Sequence, residues 1–576
     1  MTQQRLALVM IVCNEGDRLA HCLESVKSTV DEIIIVDTGS SDDTVQIARQ
    51  YTPKVYSYQW QDDFSAARNF ALDKTTCEWV LSLDADELLE GAADLHSLIS
   101  DTPYSAFFLP LCASKCKEND LEYDRFMVLR LFRSIHRFQG TIHEFVKIDD
   151  STAIGYAQQP VIWHTPISTT ERHHRRRRNI SLLTTALKEN SSNPCLHYYL
   201  GTEWLGLGRI STAIRYFKQA LSQLPIEQTV FRTPAVRHLI SCYKNTGCLN
   251  EGLYLCLEES LHYPEYCDLF FDGGVLFELQ GEYEIALKWF QEAVKLGPPP
   301  LALFHTAGTD SYLAYYHLGF CAEKLGLYKE AQSYYEQALT ANKYYYYPLY
   351  QLALLKLTQQ TAPEVLTFLQ DSDYLASSEV ATNMAELFWT AGLPDIALSC
   401  FKNSSCHQPA AIELLARYQF YSGKTACALQ ALTKLRQTNH EPAADIVIDE
   451  IAALLLLKRF TEARQRLWSL WRRQNSRNAF WAAFILYKKL VHDKPVPLPG
   501  PRAAAVLLGL ADRCMRSRSQ NLEEQKSFAL LVTTIKELLK ADAGCLALLI
   551  NHLNSQENAI KQRLDYTFTA LRGLIG

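Results

Sequence analysis

One stretch constrains this chain more than any other: Trp79-Val80-Leu81-Ser82-Leu83-Asp84-Ala85-Asp86-Glu87 is an apolar run that ends abruptly in three acids. A buried strand accommodates the first part. The carboxylates at its end need a cation or a solvent-filled cleft, because burying them unpaired is prohibitive. The i, i+2 spacing of Asp84 and Asp86 lets hard oxygen ligands approach one divalent ion and leaves positions for water and substrate phosphates. The competing reading is an acidic turn that opens a helix, where negative charge meets the positive end of the helix dipole.

A chain of 576 residues is too long for one ordinary core and implies three or so units at ~100–200 residues each. Hydrophobic residues at 48% and charged residues at 21% match soluble globular chains, so global disorder is excluded. The formal net charge of −6 is mild for this length. Bulk charge therefore implies neither nucleic acid nor an anionic membrane as partner, but leaves local patches open. The apolar run from Leu6 to Val12 leads into Asn14-Glu15-Gly16-Asp17-Arg18 without a small-residue cleavage site, so it reads as a first strand rather than a signal-peptide core. No uninterrupted apolar stretch reaches the ~18–20 residues that span a bilayer. The 16 cysteines are scattered, many in helical patterns, which predicts reduced thiols and a cytoplasmic setting. Cys112 and Cys116 lack the second pair that a zinc site needs.

Strands are expected over Leu6 to Val12, Asp31 to Asp37, Lys54 to Trp60 and Trp79 to Leu83, with helices over Glu15 to Ser28, from Val45 and over Phe64 to Asp73. Alternation of helices with continuously apolar strands predicts an α/β domain with a mostly parallel, Rossmann-like sheet covered on both faces. Ligands of such sheets lie beyond the carboxyl ends of the strands, where Asn14-Glu15, Asp37 and Asp84-Ala85-Asp86 all fall. Neither GxGxxG nor GxxxxGK[ST] is present, so a phosphate-bearing ligand would be held through a metal rather than a glycine loop.

The ordered set Val12-Cys13-Asn14-Glu15, Ile33 to Thr44 (IIIVDTGSSDDT), Asp63-Phe64-Ser65-Ala66-Ala67-Arg68-Asn69 and Trp79 to Glu87 resembles the family 2 glycosyltransferases of GT-A fold over about the first 180 residues. The resemblance implies a nucleotide-diphosphate sugar, a UDP-sugar, lying across the strand ends. It places Asp37 at the base, Glu15 at the ribose, Asp84 and Asp86 at the metal and diphosphate, and Arg68 facing the diphosphate or the sugar. It also implies Mn2+ or Mg2+ as cofactor. Gly140-Thr141-Ile142-His143-Glu144 matches the family's Gly-x-x-His-Glu pattern, which makes Glu144 the candidate base of an inverting displacement; a structural His-Glu hydrogen bond is the alternative. His164, at a strand end, matches the late histidine that supplies a third metal ligand in many GT-A enzymes and would favour manganese, or else it packs beside Trp163. Arg130 and Arg133 read either as an anion site on a sheet edge or as a solvated strand face. The run Glu171 to Asn179 (ERHHRRRRN) resembles the basic stretch with which the sublancin-type peptide S- and O-glycosyltransferases leave their catalytic domain. It is either an electrostatic guide or a solvated helix face, and without an aromatic platform it gives nucleic acid little support.

From Leu196 the period changes. Gly208, Ala213, Phe217, Ala220 and Pro225 recur at identical offsets as Gly281, Ala286, Phe290, Ala293 and Pro298, with weaker copies at Gly326, Gly392 and Gly423. These offsets resemble tetratricopeptide repeats and predict an all-α solenoid with a surface suited to a protein or peptide acceptor. Tyr344 to Tyr347 cannot all be buried on one helix face and are a candidate acceptor patch. Lys494 to Pro501 is too proline-dense for helix, and helices are expected after it over Ala503 to Arg513, Leu522 to Leu539 and Ala543 to Leu553. The expected division is thus 1–180 for the α/β domain, 181–494 for the repeats, and 495–576 for a linker and helical cap. The expected function is a metal-dependent glycosyltransferase acting on a protein or peptide side chain, as a monomer or homo-oligomer. The alternatives are a surface-polysaccharide or lipid-linked acceptor, and a noncatalytic repeat scaffold with a degenerate transferase domain.

Overall fold

The computed structural model describes residues 4–116, 119–165, 168–401, 408–438, 440–473, 475–493, 500–517 and 522–540. It divides into two compact units, Met1–Pro348 and Leu349–Gly576. The first opens with β1 (Leu6–Val12), α1 (Gly16–Val26), β2 (Glu32–Asp37), α2 (Thr44–Tyr51), β3 (Val55–Ser57), α3 (Phe64–Leu72) and β4 (Trp79–Ser82). It continues through β5 (Glu87–Glu90), α4 (Leu95–Ile99), β6 (Ala106–Cys116), β7 (Asn119–Arg133), β8 (Arg137–Gln139), β9 (Phe145–Lys147), β10 (Ile154–Tyr156) and β11 (Val161–His164).

Leu8, Met10 and Val12 point into a core shared with Leu19, Leu23 and Val26 of α1, while Ala7 and Val9 point into one shared with Ala71 and Leu72 of α3. Apolar side chains on both faces explain why β1 reads as a continuous run. The described strands order as β3-β2-β1-β4-β7-β6-β11-β5. The first four are parallel, as expected, but β7 runs antiparallel to both β4 and β6, so the sheet is mixed beyond β4. The acidic segment does not open a helix, because Glu87 begins β5, which pairs antiparallel with β11.

The rest of this unit is helical: α5 (Thr169–Glu189), α6 (Pro194–Gly206), α7 (Ile210–Leu221), α8 (Thr229–Thr246), α9 (Leu249–His262), α10 (Cys267–Gln280), α11 (Tyr283–Leu296), a short β12 (His305–Thr306), α12 (Tyr312–Lys324) and α13 (Tyr328–Ala341). The expected boundary at residue 180 falls inside α5, and the first repeats belong to the same compact unit as the sheet. The join is covalently remote but well bonded. β12 pairs with β7 at His305↔Arg125 and Thr306↔Asp124. Arg237 of α8 donates to Thr306 Oγ1 (2.8 Å), which donates to Asp124 (2.7 Å).

The repeats pack by a recurring device. A Cβ added at Gly201, Gly274 or Gly319 would lie 2.6, 2.7 or 2.4 Å from the ring of Phe217, Phe290 or Tyr335, each at the same sequence offset. Those three rings are fully buried. The glycine on the first helix of each pair is therefore the space that the aromatic of the second helix occupies. In the tyrosine cluster, Tyr345 packs against Tyr312 and Tyr316, while Tyr344 and Tyr347 are exposed.

The second unit takes most of α14 (Tyr347–Gln359), then α15 (Ala362–Asp371), α16 (Ser378–Thr390), α17 (Pro394–Cys400), α18 (Pro409–Tyr421), α19 (Thr425–Gln437), α20 (Ala444–Leu456), α21 (Phe460–Trp471), α22 (Arg477–His492), α23 (Pro501–Met515) and α24 (Leu522–Lys540). The helices expected after Pro501 and Leu522 are present. Most of the proline-rich linker (494–499) and the helix expected over Ala543 to Leu553 lie outside the described residues. Within the described residues no helix is long and apolar enough to cross a membrane.

Gly274→Ala tests the packing device. Alanine favours the helix by about 1 kcal/mol, whereas overpacking a filled core costs ~1–3 kcal/mol. Thermal unfolding should show a net loss, with Tm lowered by a few degrees; an unchanged Tm would show that the Phe290 ring yields freely.

Candidate active site

The chain leaves β4 through Asp84 and Asp86 in a turn that clamps itself. The Asp84 N–H donates to Glu87 Oε2 (2.9 Å), and the Asp84 carbonyl accepts from the Glu87 N–H (3.0 Å). Thr165, just past β11, donates through its N–H and its Oγ1 to the Asp86 carbonyl, 2.8 Å each. This stitching brings His164 Nε2 to 3.7 Å from Asp86 Oδ2.

A chain of alternating charges runs behind the turn. Arg68, 6% exposed on α3, donates to Asp84 Oδ1 (2.7 Å), to Ser82 Oγ (3.2 Å) and to Glu144 Oε1. Arg130 of β7 donates to Asp84 Oδ2 (2.7 Å) and Glu87 Oε1 (2.6 Å). Burial alone would raise the Asp84 carboxyl, but Arg130 and Arg68 outweigh it and hold Asp84 far below the usual carboxylate range. Glu87 shifts the other way: burial, reinforced by the nearby Asp84, pushes its carboxyl up to about 7 despite Arg130. Arg68 and Arg130, both singled out in the sequence, have carboxylate partners here. The Arg68 guanidinium, expected to face a diphosphate or sugar, pairs with Asp84 and Glu144 on the wall of the cavity described below. Arg130 is not on a solvated face: it pairs with Asp84 and Glu87 and lines that same cavity. Arg133 lies over the Trp79 ring (4.7 Å to its centroid).

The sequence motifs now have local reasons. Asn14 takes a left-handed backbone (φ +56°), its N–H donates to Ser40 Oγ (2.9 Å), and its Oδ1 accepts from the Ser41 N–H (2.8 Å). The loop after β1 is thereby laced to the loop after β2. Asp63 caps α3 by accepting from the Ala66 N–H (2.9 Å), and Asn69 exchanges two 2.9 Å bonds with the backbone of Phe138. Those bonds hold the segment carrying Glu144. His143, at φ +48°, stacks its ring on Tyr199 of α6 at 3.8 Å and 4°.

Glu15 pairs with Arg18 (2.9 Å) and with Arg175 of α5 (2.9 Å), yet burial still raises its carboxyl. Arg175 also reaches Asp86 Oδ2 (3.1 Å) and Glu171 (2.8 Å). The basic run is thus partly turned inward, with Arg176 on Glu203 (2.9 Å) and Arg178 over the Phe64 ring (5.3 Å). Asp37 bonds its own turn. Its carboxylate accepts from the Gly39 and Ser40 N–H groups (3.2 and 3.1 Å), and Thr38 rather than Asp37 lines the adjoining cavity. The acid expected at a nucleotide base thus also bonds the turn after β2.

That cavity, about 1970 Å3, brings Glu15, Arg68, Asp84, Asp86, Glu144 and His164 to one wall system, with Arg175 among them. Tyr198 and Tyr199 of α6 and Phe231 of α8 line it from the repeat side. Arg175 was legible only as one of a charge run. Its signal was register, since Ser168 caps α5 through the Glu171 N–H (3.2 Å) and Arg175 follows one turn after Glu171.

For a divalent ion, the cavity wall offers the carboxylate of Asp86 and the imidazole of His164, a hard-oxygen and nitrogen pair that suits manganese better than magnesium. Asp84 is a poorer ligand while two guanidiniums hold it. Cys267, Asp268 and His305 also lie close enough for a metal, but Asp268 already accepts from Arg237, His305, Thr309 and the Thr306 N–H, and burial pushes the Cys267 thiol up. That group is a hydrogen-bonded latch beneath β12.

The family model "Glycosyl transferase family 2" matches residues 7–154, and a tetratricopeptide-repeat model matches residues 312–345. A TPR repeat-containing protein of Synechococcus elongatus is 32% identical over 313 residues, 51% of this chain and 76% of that protein. The SPbeta prophage-derived glycosyltransferase SunS of Bacillus subtilis is 30% identical over 280 residues, 46% of this chain and 65% of its own length. An uncharacterized glycosyltransferase of Rickettsia felis is 40% identical over 86 residues, 15% of this chain and 30% of that protein. Residues 7–154 are thus a family 2 glycosyltransferase domain, and the same chain carries tetratricopeptide repeats. In this glycosyltransferase the matched family segment carries every candidate acid of the cavity and the two arginines on Asp84, Arg68 and Arg130.

The raised carboxyl of Glu87 gives the glycosyltransferase a pH signature. Between the ordinary carboxylate range and about pH 7, folded Glu87 keeps a proton that the unfolded chain releases. Its contribution is fully present at the acid end of that window and is lost as pH rises through it. Glu87→Gln should therefore reduce the fall in stability between about pH 5 and about pH 7.5, read by urea denaturation; an identical pH slope in both proteins would remove Glu87 as the cause.

Proposed function

We propose that this glycosyltransferase moves a sugar from a UDP-sugar to a side chain of a protein or peptide, with inversion at the transferred carbon. The observation that carries the reading is that Glu144, Asp86 and His164 line one cavity to which helices of the first repeats contribute a wall. Glu144 takes the proton from the acceptor hydroxyl or thiol as that atom bonds the sugar carbon and the bond to the diphosphate breaks. Arg68 fixes the Glu144 carboxylate on the wall, and the left-handed, Tyr199-stacked His143 fixes the backbone beside it. Asp86 and His164 would hold Mn2+ in preference to Mg2+, and a divalent ion there supplies charge to the leaving diphosphate. Glu15 serves the ribose, and Asp84 orients the donor from its arginine cradle. Asp37 shapes the loop that brings Thr38 to the cavity. The repeats support a protein or peptide acceptor, because stacked helical hairpins present surfaces of that kind. The free cysteines of the described residues fit a cytoplasmic enzyme.

Calorimetric titration with a panel of nucleotide-sugars, each with and without Mn2+, tests the donor site. One donor should bind in a manganese-dependent way, and Asp86→Ala should lose that dependence; no binding under any condition would remove the reading. Glu144→Gln should keep donor affinity while transfer slows ~100- to 10,000-fold, and parallel loss of binding and rate would reject Glu144 as the base. Arg175→Gln should tighten Mn2+ binding in the absence of nucleotide, since it removes the cation paired with Asp86. Weaker Mn2+ binding in that variant would show that Arg175 builds the site rather than competing for it.

A further inference from the structure

In the second unit, α21 places Arg464, Trp468, Trp471 and Arg472 along one exposed helix face, and α22 places Arg477, Trp481, Phe484 and Lys488 along another at helical spacing. Trp468, Trp471 and Trp481 are 50%, 47% and 43% exposed. The two rows form one surface. Trp471 packs on Phe480 (4.9 Å between ring centroids), Phe480 touches Trp481 (5.4 Å) and Phe484 (5.6 Å), and Lys488 Nζ lies 5.7 Å from the Phe484 ring.

Charge is as lopsided as exposure. From Phe460 to His492 the sequence holds one acid, Glu462, against five arginines and two lysines, and Glu462 is taken by Arg459 (2.6 Å). Arg466, Arg473 and Lys489 pair with Glu450, Glu441 and Asp493. Among the described residues Arg464, Arg472 and Arg477 have no acidic partner within ion-pair distance. A chain with a net charge of −6 has therefore concentrated uncompensated cations beside three half-exposed indoles. Single exposed apolar residues are ordinary, but a contiguous aromatic patch marks a contact surface.

We propose that the α21–α22 face docks on an anionic lipid surface. Each aromatic pair is bracketed along its helix by cations, Arg464 and Arg472 on one and Arg477 and Lys488 on the other. That order seats indoles at headgroup level and lets the longer cationic side chains reach phosphates on either side. The contact is peripheral, through helix faces that lie on the surface, since no described helix can span a bilayer. This inference is independent of the donor site and of the acceptor reading.

The test is co-sedimentation of the full-length protein with phosphatidylcholine vesicles that contain or lack phosphatidylglycerol. Binding to the anionic vesicles alone is expected, and raised salt should weaken it. Each cation near an anionic leaflet strengthens binding about fivefold, so the triple variant Arg464→Gln/Arg472→Gln/Arg477→Gln should bind about a hundredfold more weakly. Trp468→Ser/Trp481→Ser should also lose binding; the arginine variant should keep the wild-type Tm, and the tryptophan variant, which gives up the buried half of two indoles, should keep its helical circular-dichroism spectrum at a lower Tm. Absence of vesicle binding by the wild type would overturn the proposal, and so would equal binding by the charge variant. Sedimentation equilibrium that showed a dimer dissolved by Trp468→Ser would overturn it too, by giving the face to a second copy of the chain.

Discussion

The acids at the end of β4 cannot stand there without cations, and the way the chain supplies them fixes much of the first unit. Arg68 comes from α3, Arg130 from β7 and Arg175 from α5, so the turn after β4 is satisfied only when a helix before it, a strand after it and a helix beyond the sheet are all in place. Such pairs need not add net stability, since desolvation opposes the attraction. Breaking a buried one nevertheless costs about 3–5 kcal/mol by stranding its partner. The network therefore works as a specificity constraint: arrangements that leave Glu87 buried without Arg130, or Arg68 buried without its acids, are penalised heavily.

The same logic makes the first repeats part of the cavity rather than an appendage. Tyr199 stacks on the histidine beside Glu144, Arg176 of α5 holds Glu203 of α6, and β12 extends the sheet from within the solenoid. Beneath β12 the fully buried Asp268 accepts from Arg237, whose side chain is 10% exposed, and from the Thr306 N–H. A polar network of that kind tolerates little sliding, because any shift leaves buried hydrogen-bonding groups unmet. Catalytic sheet and first repeats are thereby held in one register, and residues from both wall the cavity.

Much of this was legible in the sequence, for identifiable reasons. Continuous apolar strands and the small-residue offsets of the repeats are periodic signals, and they located β1, β2, β4 and the paired helices. The family resemblance named the acids that line the cavity. What was not legible depends on pairing across long separations. The antiparallel β7 could not be read from strands that look alike in either direction, and the roles of Arg68 and Arg130 depend on which acids the fold sets beside them. The bonds of Asp37 to its own turn were not legible either, because an acid at a strand end can serve its turn as readily as a ligand. The glycines facing Phe217, Phe290 and Tyr335 gave no hydrophobic signal, since their function is to be absent volume.

Asp84 and Asp86 look equivalent in sequence, yet the structure makes them unequal. The guanidiniums on Asp84 come from arginines that are each tied also to a second carboxylate, so their removal would expose several charges at once. Asp86 is held by Arg175, whose side chain is about a third exposed at 30% and shares itself among three acids, and by a histidine that need not be charged. Pairs with solvent access are weak and are readily exchanged for water. The acids themselves differ in the opposite sense, the Asp84 side chain being 35% exposed and that of Asp86 7%, so Asp84 is the better held and Asp86 the more enclosed. The asymmetry follows from where the arginines originate: α3 and β7 are internal to the sheet's packing, whereas Arg175 rides on the first helix after it.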